Sequence, residues 1–265
     1  MKKKEFNPKT AISRLRLLLL DIGEKVLKMR KSGGNMGIRI KTGVTDIVTR
    51  ADNFSEEKIV SHIKKLYPGH RIRGEEKGVS VESNSEWEWI IDPIDGTSNY
   101  SGGMDFFGIS VGLYRNGIGQ LGMINYPALK KLVYAIKGEG AWMNGKRITI
   151  QRADKKALKD SLIAAGIMLS TAGKFERLQS HSRNIVMFGS FTCDTLLFLE
   201  EKIGANIHTG ATPYDIAAAR IIVREAGGVS SGIESAAINI DNEKIPIIFA
   251  RSQKLAQELR ELLRN

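Results

Sequence analysis

Two aspartates three residues apart directly follow an apolar run, in the string Trp-Ile-Ile-Asp-Pro-Ile-Asp-Gly-Thr at residues 89–97. Pro93, which lies between them, lacks a backbone donor and has a fixed φ, so the sequence predicts a turn there. Such a turn would bring Asp92 and Asp95 together and leave the carbonyl of Ile94 pointing at the same place. Carboxylates and a carbonyl form the hard oxygen set that suits Mg²⁺, which also accepts phosphate oxygens. The string therefore predicts a magnesium site.

The two residues after the second aspartate add a place for phosphate. If a helix begins at Gly96 and Thr97, their backbone N–H groups point at an anion bound before that helix. The simpler alternative is that an Asp-x-x-Asp pair only caps a helix after a strand. The length of the whole string, with proline and Gly-Thr in their places, favours the interpretation in which metal and phosphate meet.

A resemblance to a known family extends this interpretation. The string Asp-Pro-Ile-Asp-Gly-Thr-Ser-Asn-Tyr at residues 92–100 resembles the signature of the inositol monophosphatase family. The superfamily includes fructose-1,6-bisphosphatases and 3′-phosphoadenosine phosphatases. Three further segments are similar to family motifs and occur in the family order, at residues 46–52, 73–76 and 214–219. The resemblance covers roughly residues 11–262, which makes a coincidence very improbable.

The resemblance implies a role for individual positions in these four segments. It implies that about two or three Mg²⁺ ions are bound by Glu75, Asp92, the Ile94 carbonyl, Asp95 and Asp215. Gly96 and Thr97 would bind phosphate, and Asp52 would pair with Thr97 to polarise the attacking water. Neither group needs to be strongly basic when metals already acidify the water. Without the family, Asp52 is equally well explained as the N-cap of the helix after it.

The residues that would contact the alcohol part of a substrate depart from the family pattern. Tyr214 stands where a tryptophan is usual, and His208 stands where many inositol-preferring members have a glutamate. Ser190 and Phe191 align with a small-residue segment that lines the sugar pocket, although Phe191 is bulky. Ser190, Phe191 and His208 are therefore weak candidates for substrate binding. The alternative for His208 is an ordinary surface or core histidine.

Helices and strands must position these residues, and the pattern of apolar residues predicts most of them. Helical spacing predicts helices over about Thr10–Lys31 and Asp52–Leu66, and a strand over Trp87–Ile91 leads into the acidic string. Short apolar runs between turns predict an antiparallel meander over residues 106–150, with a hairpin turn at the Asn-Gly pair 144–145.

The second part of the chain has a mixed pattern. It predicts strands over residues 161–166, 184–188 and 245–250, and helices over residues 192–202, 213–226 and 253–263. We expect an N-terminal half, residues 1–150, with most metal ligands, and a C-terminal half, residues 151–265, with the last ligand and the substrate pocket. The resemblance implies that both halves form one domain of mixed α+β or α/β class, layered as the α/β/α/β/α sandwich of the sugar phosphatases.

Composition excludes several other classes of protein. The chain has 265 residues, long enough for a substantial core, and no apolar run approaches membrane-spanning length. The single cysteine, Cys193, excludes an intrachain disulfide and a cysteine metal cluster, so we expect a cytoplasmic protein without a membrane partner. The net charge of +11 is scattered along the chain without aromatic-interleaved basic stretches, and no nucleic-acid partner is expected.

The resemblance implies one reaction and leaves the substrate open. The reaction is Mg²⁺-dependent hydrolysis, by metal-activated water, of a phosphate monoester of a small polyol or sugar. The alternatives are 3′-phosphoadenosine 5′-phosphate or fructose 1,6-bisphosphate as the small phosphorylated metabolite. A more remote alternative is a binding protein that keeps the fold without turnover. The family often forms homodimers, which makes a homodimer an expectation here too.

Overall fold

The computed structural model describes residues 6–32, 37–43, 46–81, 83–151, 158–171 and 173–264. The helices in these ranges are α1 (Pro8–Lys31), α2 (Arg50–Leu66), α3 (Thr97–Ser101), α4 (Met168–Thr171), α5 (Phe175–His181), α6 (Phe191–Leu199), α7 (Pro213–Glu225) and α8 (Gln253–Arg264). The strands are β1 (Arg39–Gly43), β2 (Asp46–Val48), β3 (Arg71–Gly74), β4 (Gly78–Val81), β5 (Trp87–Asp95), β6 (Gly108–Arg115), β7 (Ile118–Tyr126), β8 (Lys131–Ile136), β9 (Gly140–Met143), β10 (Lys146–Ile148), β11 (Leu162–Ala165), β12 (Asn184–Val186), β13 (Ala205–Ala211), β14 (Val229–Gly232) and β15 (Ile245–Ala250).

The first two layers are a pair of helices and an eight-stranded sheet. The strand order of this sheet is β10-β9-β8-β7-β6-β5-β3-β4, and all neighbours are antiparallel except the parallel pair β3 and β5. Helices α1 and α2 cover one face and bury one apolar side each. Helix α1 begins at Pro8, slightly before the predicted start, because the side chain of Asn7 accepts a hydrogen bond from the Thr10 N–H at 3.1 Å.

Helices α6 and α7 form the middle layer, and α7 packs unusually close to the sheet. A Cβ atom on Gly112 would lie 2.8 Å from the Cβ of Ala217, and one on Gly122 would lie 2.6 Å from the carbonyl oxygen of Ala218. The small residues on both sides therefore allow the helix backbone to lie directly on β6 and β7. As a result, the first turn of α7 lies beside the end of β5.

A five-stranded sheet and further helices complete the layers. The strand order is β12-β11-β13-β15-β14, with one face packed on α6 and α7 and the other on α5 and α8. The predicted α/β/α/β/α layering is thereby confirmed. Strands β13 and β14 were not predicted, since polar residues interrupt their apolar pattern; in β13 these include Asn206, which is fully buried. No helix within the described ranges is long and apolar enough to cross a membrane.

The predicted division into halves, residues 1–150 and 151–265, stays a prediction. The larger sheet is built from the first range and the smaller sheet from the second. However, a single buried cluster between the two sheets contains residues of both ranges, among them Ile124, Tyr126, Phe198 and Phe249. The two ranges therefore share one core.

The predicted turn at Pro93 is wrong. Strand β5 continues through the proline to Asp95, and its pairing with β6 shifts between Asp92, opposite Ser110, and Asp95, opposite Gly108. This bulge absorbs the missing N–H of the proline without ending the strand. The chain turns one residue after the second aspartate, at Gly96, whose φ of 89° favours glycine.

Candidate active site

Three aspartates converge where β5 ends and α7 begins. Each of Asp92, Asp95 and Asp215 offers one carboxylate oxygen, and these oxygens lie within 4.8 Å of one another. Asp92 is 1% exposed and Asp95 is 8% exposed. Glu75 lies beside them, since it follows β3, the parallel neighbour of β5, and its N–H donates to the Ile91 carbonyl at 3.1 Å.

The electrostatics of this acidic cluster favour a bound cation. Burial, and then the charges of three neighbouring carboxylates with Glu75 first, hold the pKa of Asp92 well above its ordinary value. Burial, and then the charge of Asp95, raises the pKa of Asp215 to about 7. The buried Oδ1 of Asp92 has no hydrogen-bond partner among the residues that the structure describes. Orphaned, mutually repelling carboxylate oxygens suit a hard divalent cation, and the cluster therefore fits Mg²⁺.

The start of helix α6 orients Asp95. Its Oδ2 accepts hydrogen bonds from the Ser190 hydroxyl at 2.6 Å and from the Thr192 N–H at 2.5 Å. Its Oδ1 accepts from the Phe191 N–H at 3.2 Å. A carboxylate at a helix N-terminus is stabilised by these free N–H groups and by the helix dipole. Asp95 is therefore held in place by a segment almost a hundred residues further along the chain.

Asp215 and Asp52 are held in the same way, each by a threonine three residues earlier. Thr212 is the N-cap of α7, and its N–H and hydroxyl contact Oδ2 of Asp215 at 2.6 and 2.9 Å. Thr49 is the N-cap of α2, and its N–H and hydroxyl donate to Oδ2 of Asp52 at 2.8 and 2.5 Å. In both capping boxes the cap uses Oδ2, so Oδ1 is directed elsewhere.

The alternative in which Asp52 is an N-cap is wrong. Helix α2 begins at Arg50, two residues before its predicted start, because Thr49 is the cap and Asp52 is the third residue of the helix. The Oδ1 atom of Asp52 accepts from the Thr97 hydroxyl at 3.0 Å. The same hydroxyl lies 2.9 Å from the carbonyl oxygen of Ile94. Burial raises the pKa of Asp52, and its hydrogen bonds with Thr49 and Thr97 oppose that shift.

The three weak candidates for substrate binding lie together at the start of helix α6, where the rings of Phe191 and His208 are 4.7 Å apart between centroids. Ser190 is buried, and its hydroxyl donates a hydrogen bond to Asp95. Phe191 is 3% exposed, and its ring packs against that of Phe249. His208 is partly buried, and its Nε2 lies 3.0 Å from Oδ2 of Asp194. Burial raises the pKa of Asp194 to about 6, although the bond to His208 opposes the shift. Substrate contact by these residues stays a prediction.

Sequence reasoning missed several residues that hold the site. Both capping threonines could have been found, because Thr-x-x-Asp is a recognised helix-start pattern and occurs at residues 49–52 and 212–215. Asp194, the partner of His208, gave no signal, because two partners on different elements have no fixed spacing in the chain. The buried Glu56, one helical turn after Asp52, was likewise missed.

Comparison with known proteins identifies the family of proteins to which this chain, with its layered fold and acidic cluster, belongs. The model of the inositol monophosphatase family matches residues 13–265. A Thermotoga maritima fructose-1,6-bisphosphatase/inositol-1-monophosphatase is 36% identical over 190 residues, which cover 71% of this chain and 72% of the relative. A Mesorhizobium japonicum inositol-1-monophosphatase is 30% identical over 218 residues, covering 80% and 81%. A Haemophilus influenzae protein called Nus factor SuhB is 31% identical over 194 residues, covering 71% and 72%.

Solved structures agree with the family match. A Thermotoga maritima inositol monophosphatase superposes with a TM-score of 0.85 at 31% identity, over 96% of this chain and 97% of that chain. The Bartonella henselae suhB protein superposes with a TM-score of 0.87 at 24% identity, a likeness of fold alone. The chain belongs to the inositol monophosphatase family. It is a phosphoric monoester hydrolase of a Mg²⁺-dependent family, and the acidic cluster could hold a metal ion.

Proposed function

We propose that this protein hydrolyses the phosphate monoester of a small polyol or sugar. The observation that carries the proposal is the convergence of Asp92, Asp95 and Asp215 within 4.8 Å, next to the Gly96 turn. The proposed metal ligands are Glu75, Asp92, the Ile94 carbonyl, Asp95 and Asp215. When bound there, about two or three Mg²⁺ ions would neutralise the phosphate and lower the pKa of a water.

The turn after the second aspartate is the proposed phosphate site. Gly96 has a positive φ and directs the chain from β5 into α3, so that the N–H groups of Gly96, the N-cap, and Thr97, the first helical residue, lie at the N-terminal end of the helix. Backbone N–H groups in such a turn bind an anionic oxygen without a charged side chain. The phosphate would therefore lie between these groups and the acidic cluster.

Thr97 and Asp52 are proposed to position and deprotonate the attacking water. The Thr97 hydroxyl has one proton and two acceptors at similar distance, Oδ1 of Asp52 and the carbonyl of Ile94. If the Ile94 carbonyl is used as a ligand, the hydroxyl donates to Asp52 and its oxygen accepts from the water. Burial raises the pKa of Asp52, which favours its uptake of the proton passed on by Thr97.

Replacing the hydroxyl of Thr97 tests this relay. Thr97→Val keeps the shape of the side chain and removes the proton carrier, so we expect kcat to fall about 10²-fold or more. Thr97→Ser keeps the hydroxyl and should retain nearly full activity. Steady-state kinetics at saturating Mg²⁺ give both values. Equal activity of the valine and serine variants would contradict the relay.

The class of substrate rests on the relatives and on the aromatic residues near the acidic cluster. The two enzyme relatives are named for inositol 1-phosphate and fructose 1,6-bisphosphate, and their names support a polyol or sugar phosphate. Fructose 1,6-bisphosphate is therefore the second candidate. A nucleotide has less support because, of the two rings that could stack on a base, Phe191 is buried against Phe249 and Tyr214 alone is partly exposed. The presence of all the metal carboxylates disfavours a binding protein without turnover.

A panel of three substrates tests this choice. We expect kcat/KM for inositol 1-phosphate or fructose 1,6-bisphosphate to exceed that for 3′-phosphoadenosine 5′-phosphate by at least about tenfold. The measurement is phosphate release at fixed Mg²⁺ concentration, with an Asp92→Asn preparation as the control for contaminating phosphatases. A preference for the nucleotide would overturn the polyol or sugar assignment and leave the hydrolytic mechanism intact.

The remaining features of the proposal rest on the family and on composition. We propose a homodimer in the cytoplasm, as expected from the family and from the single buried cysteine. We propose no nucleic-acid partner, because the +11 charge is dispersed along the chain. A dispersed positive field would also attract anionic phosphate esters to the enzyme.

A further inference from the structure

Helix α2 has a second buried carboxylate besides Asp52. Glu56 lies one helical turn after Asp52, on the same side of the helix, and is 0% exposed. A carboxylate almost never occupies such a position unless hydrogen bonds or charges compensate its loss of water. The partners of Glu56 therefore indicate what this residue does.

Two of its partners are backbone groups of the turn between β3 and β4. Oε2 of Glu56 accepts from the N–H of Glu76 at 2.8 Å, and Oε1 accepts from the N–H of Lys77 at 3.0 Å. The preceding N–H, that of Glu75, donates to the Ile91 carbonyl of β5. Three consecutive N–H groups are thus fixed, one by β5 and two by Glu56. Glu75 lies at the junction, where its backbone has little freedom to move.

The residue before the turn makes room for this carboxylate. A Cβ atom on Gly74 would lie 2.5 Å from Oε2 of Glu56 and equally close to its Cδ. The atoms in the way are the end of the Glu56 side chain, and the φ of Gly74 is not positive. Glycine is therefore required here by the approach of Glu56 and not by backbone strain.

We propose that Glu56 is a positioning residue for the metal site, which sets the backbone of the 75–77 turn so that the Glu75 carboxylate reaches Asp92. The two carboxyl groups are in contact, since Glu75 and Asp92 share a side-chain hydrogen bond. Groups that orient a metal ligand contribute to metal affinity without touching the metal. The proposal rests on Glu75 being a ligand, as in the proposed function.

Magnesium affinity is the first readout. Titration calorimetry of the full chain should give a Mg²⁺ dissociation constant raised by at least about tenfold in Glu56→Ala. Glu56→Gln, which keeps the shape and one acceptor oxygen, should fall between Glu56→Ala and the wild type. Glu57→Ala, an exposed neighbour on the same helix, is the matched control and should bind Mg²⁺ like the wild type.

Gly74→Ala provides a second test that does not alter Glu56 itself. The added methyl group should displace the Glu56 carboxylate and weaken Mg²⁺ binding to a similar extent. In a Glu56→Ala background the same methyl group meets no carboxylate, so it should cause little further loss. This non-additivity separates positioning through Glu56 from general damage to the turn. Fully additive losses would overturn the proposal.

A third measurement uses the metal-free protein and is independent of phosphatase activity. Amide hydrogen exchange at Glu76 and Lys77 should be faster in Glu56→Ala than in Glu57→Ala, without metal or substrate. Unchanged exchange, or an unchanged Mg²⁺ constant in folded Glu56→Ala, would overturn the proposal. If Glu56→Ala does not fold, Glu56→Gln and Gly74→Ala decide the question. If the proposed function itself is wrong, the wild type will release no phosphate although the amides of Glu76 and Lys77 remain protected from hydrogen exchange.

Discussion

Asp92→Asn should lower kcat for Mg²⁺-dependent phosphate release by at least about 10³-fold and should also raise the melting temperature of the metal-free protein. Activity falls because the central carboxylate of the cluster is lost. Stability rises because Asp92 is buried, its Oδ1 has no hydrogen-bond partner within the described ranges and three carboxylates repel it. An amide removes the charge, and its N–H₂ can donate to the side chain of Glu75. Each kcal/mol of repulsion removed corresponds to roughly 2–4 °C in Tm.

Asp95→Asn is the matched comparison, since it removes the same charge from the same cluster. The two oxygens of Asp95 accept three hydrogen bonds from the start of helix α6. An amide N–H₂ group would face at least one of those donors, so this variant should lose activity and stability together. Thermal unfolding in a chelator and in Mg²⁺ measures both variants. A lower Tm for metal-free Asp92→Asn would contradict the account of repulsion within the cluster.

The metal-free wild type should lose stability, relative to Asp92→Asn, as the pH rises from about 4 to above 7. Asp92 and Asp215 have pKa values raised by burial and by neighbouring carboxylates, that of Asp215 to about 7. A carboxyl group with a raised folded pKa binds its proton more tightly when folded. Its contribution to stability is therefore complete below its unfolded pKa of about 4 and is lost as the pH passes through the folded pKa.

Magnesium should reverse this dependence. Binding of the cation requires ionised carboxylates, so the Mg²⁺ affinity and the Mg²⁺-induced rise in Tm should increase over the same pH range. The measurement is the difference in Tm between wild type and Asp92→Asn, in chelator and in Mg²⁺, from pH 5 to pH 8. In chelator the difference should widen with pH in favour of the variant. A constant difference would show that the cluster does not titrate in this range.

Local patterns in the sequence predicted the candidate site residues better than they predicted the contacts that hold those residues in place. Asp92 and Asp95 were found because they share a short string, and their convergence with Asp215 is observed. The path of β5 was not predicted, because a bulge can place Pro93 inside a strand. The orientation of Asp95 was not predicted either, because Ser190 is distant in sequence and such a pairing has no local signature. The role of Glu56 was not predicted for the same reason, because its partners Glu76 and Lys77 are distant from it in sequence.

The close packing of α7 on the larger sheet also fixes a length. The contact between Ala217 and Gly112, and that between Ala218 and Gly122, determine how far the helix axis stands from the strands. Asp215 is attached to that helix and Asp92 to the sheet, so the helix-to-sheet spacing contributes to the separation of their carboxylates. A larger side chain at Gly112 or Gly122 would therefore alter the acidic cluster from within the hydrophobic core, without touching any of its carboxylates.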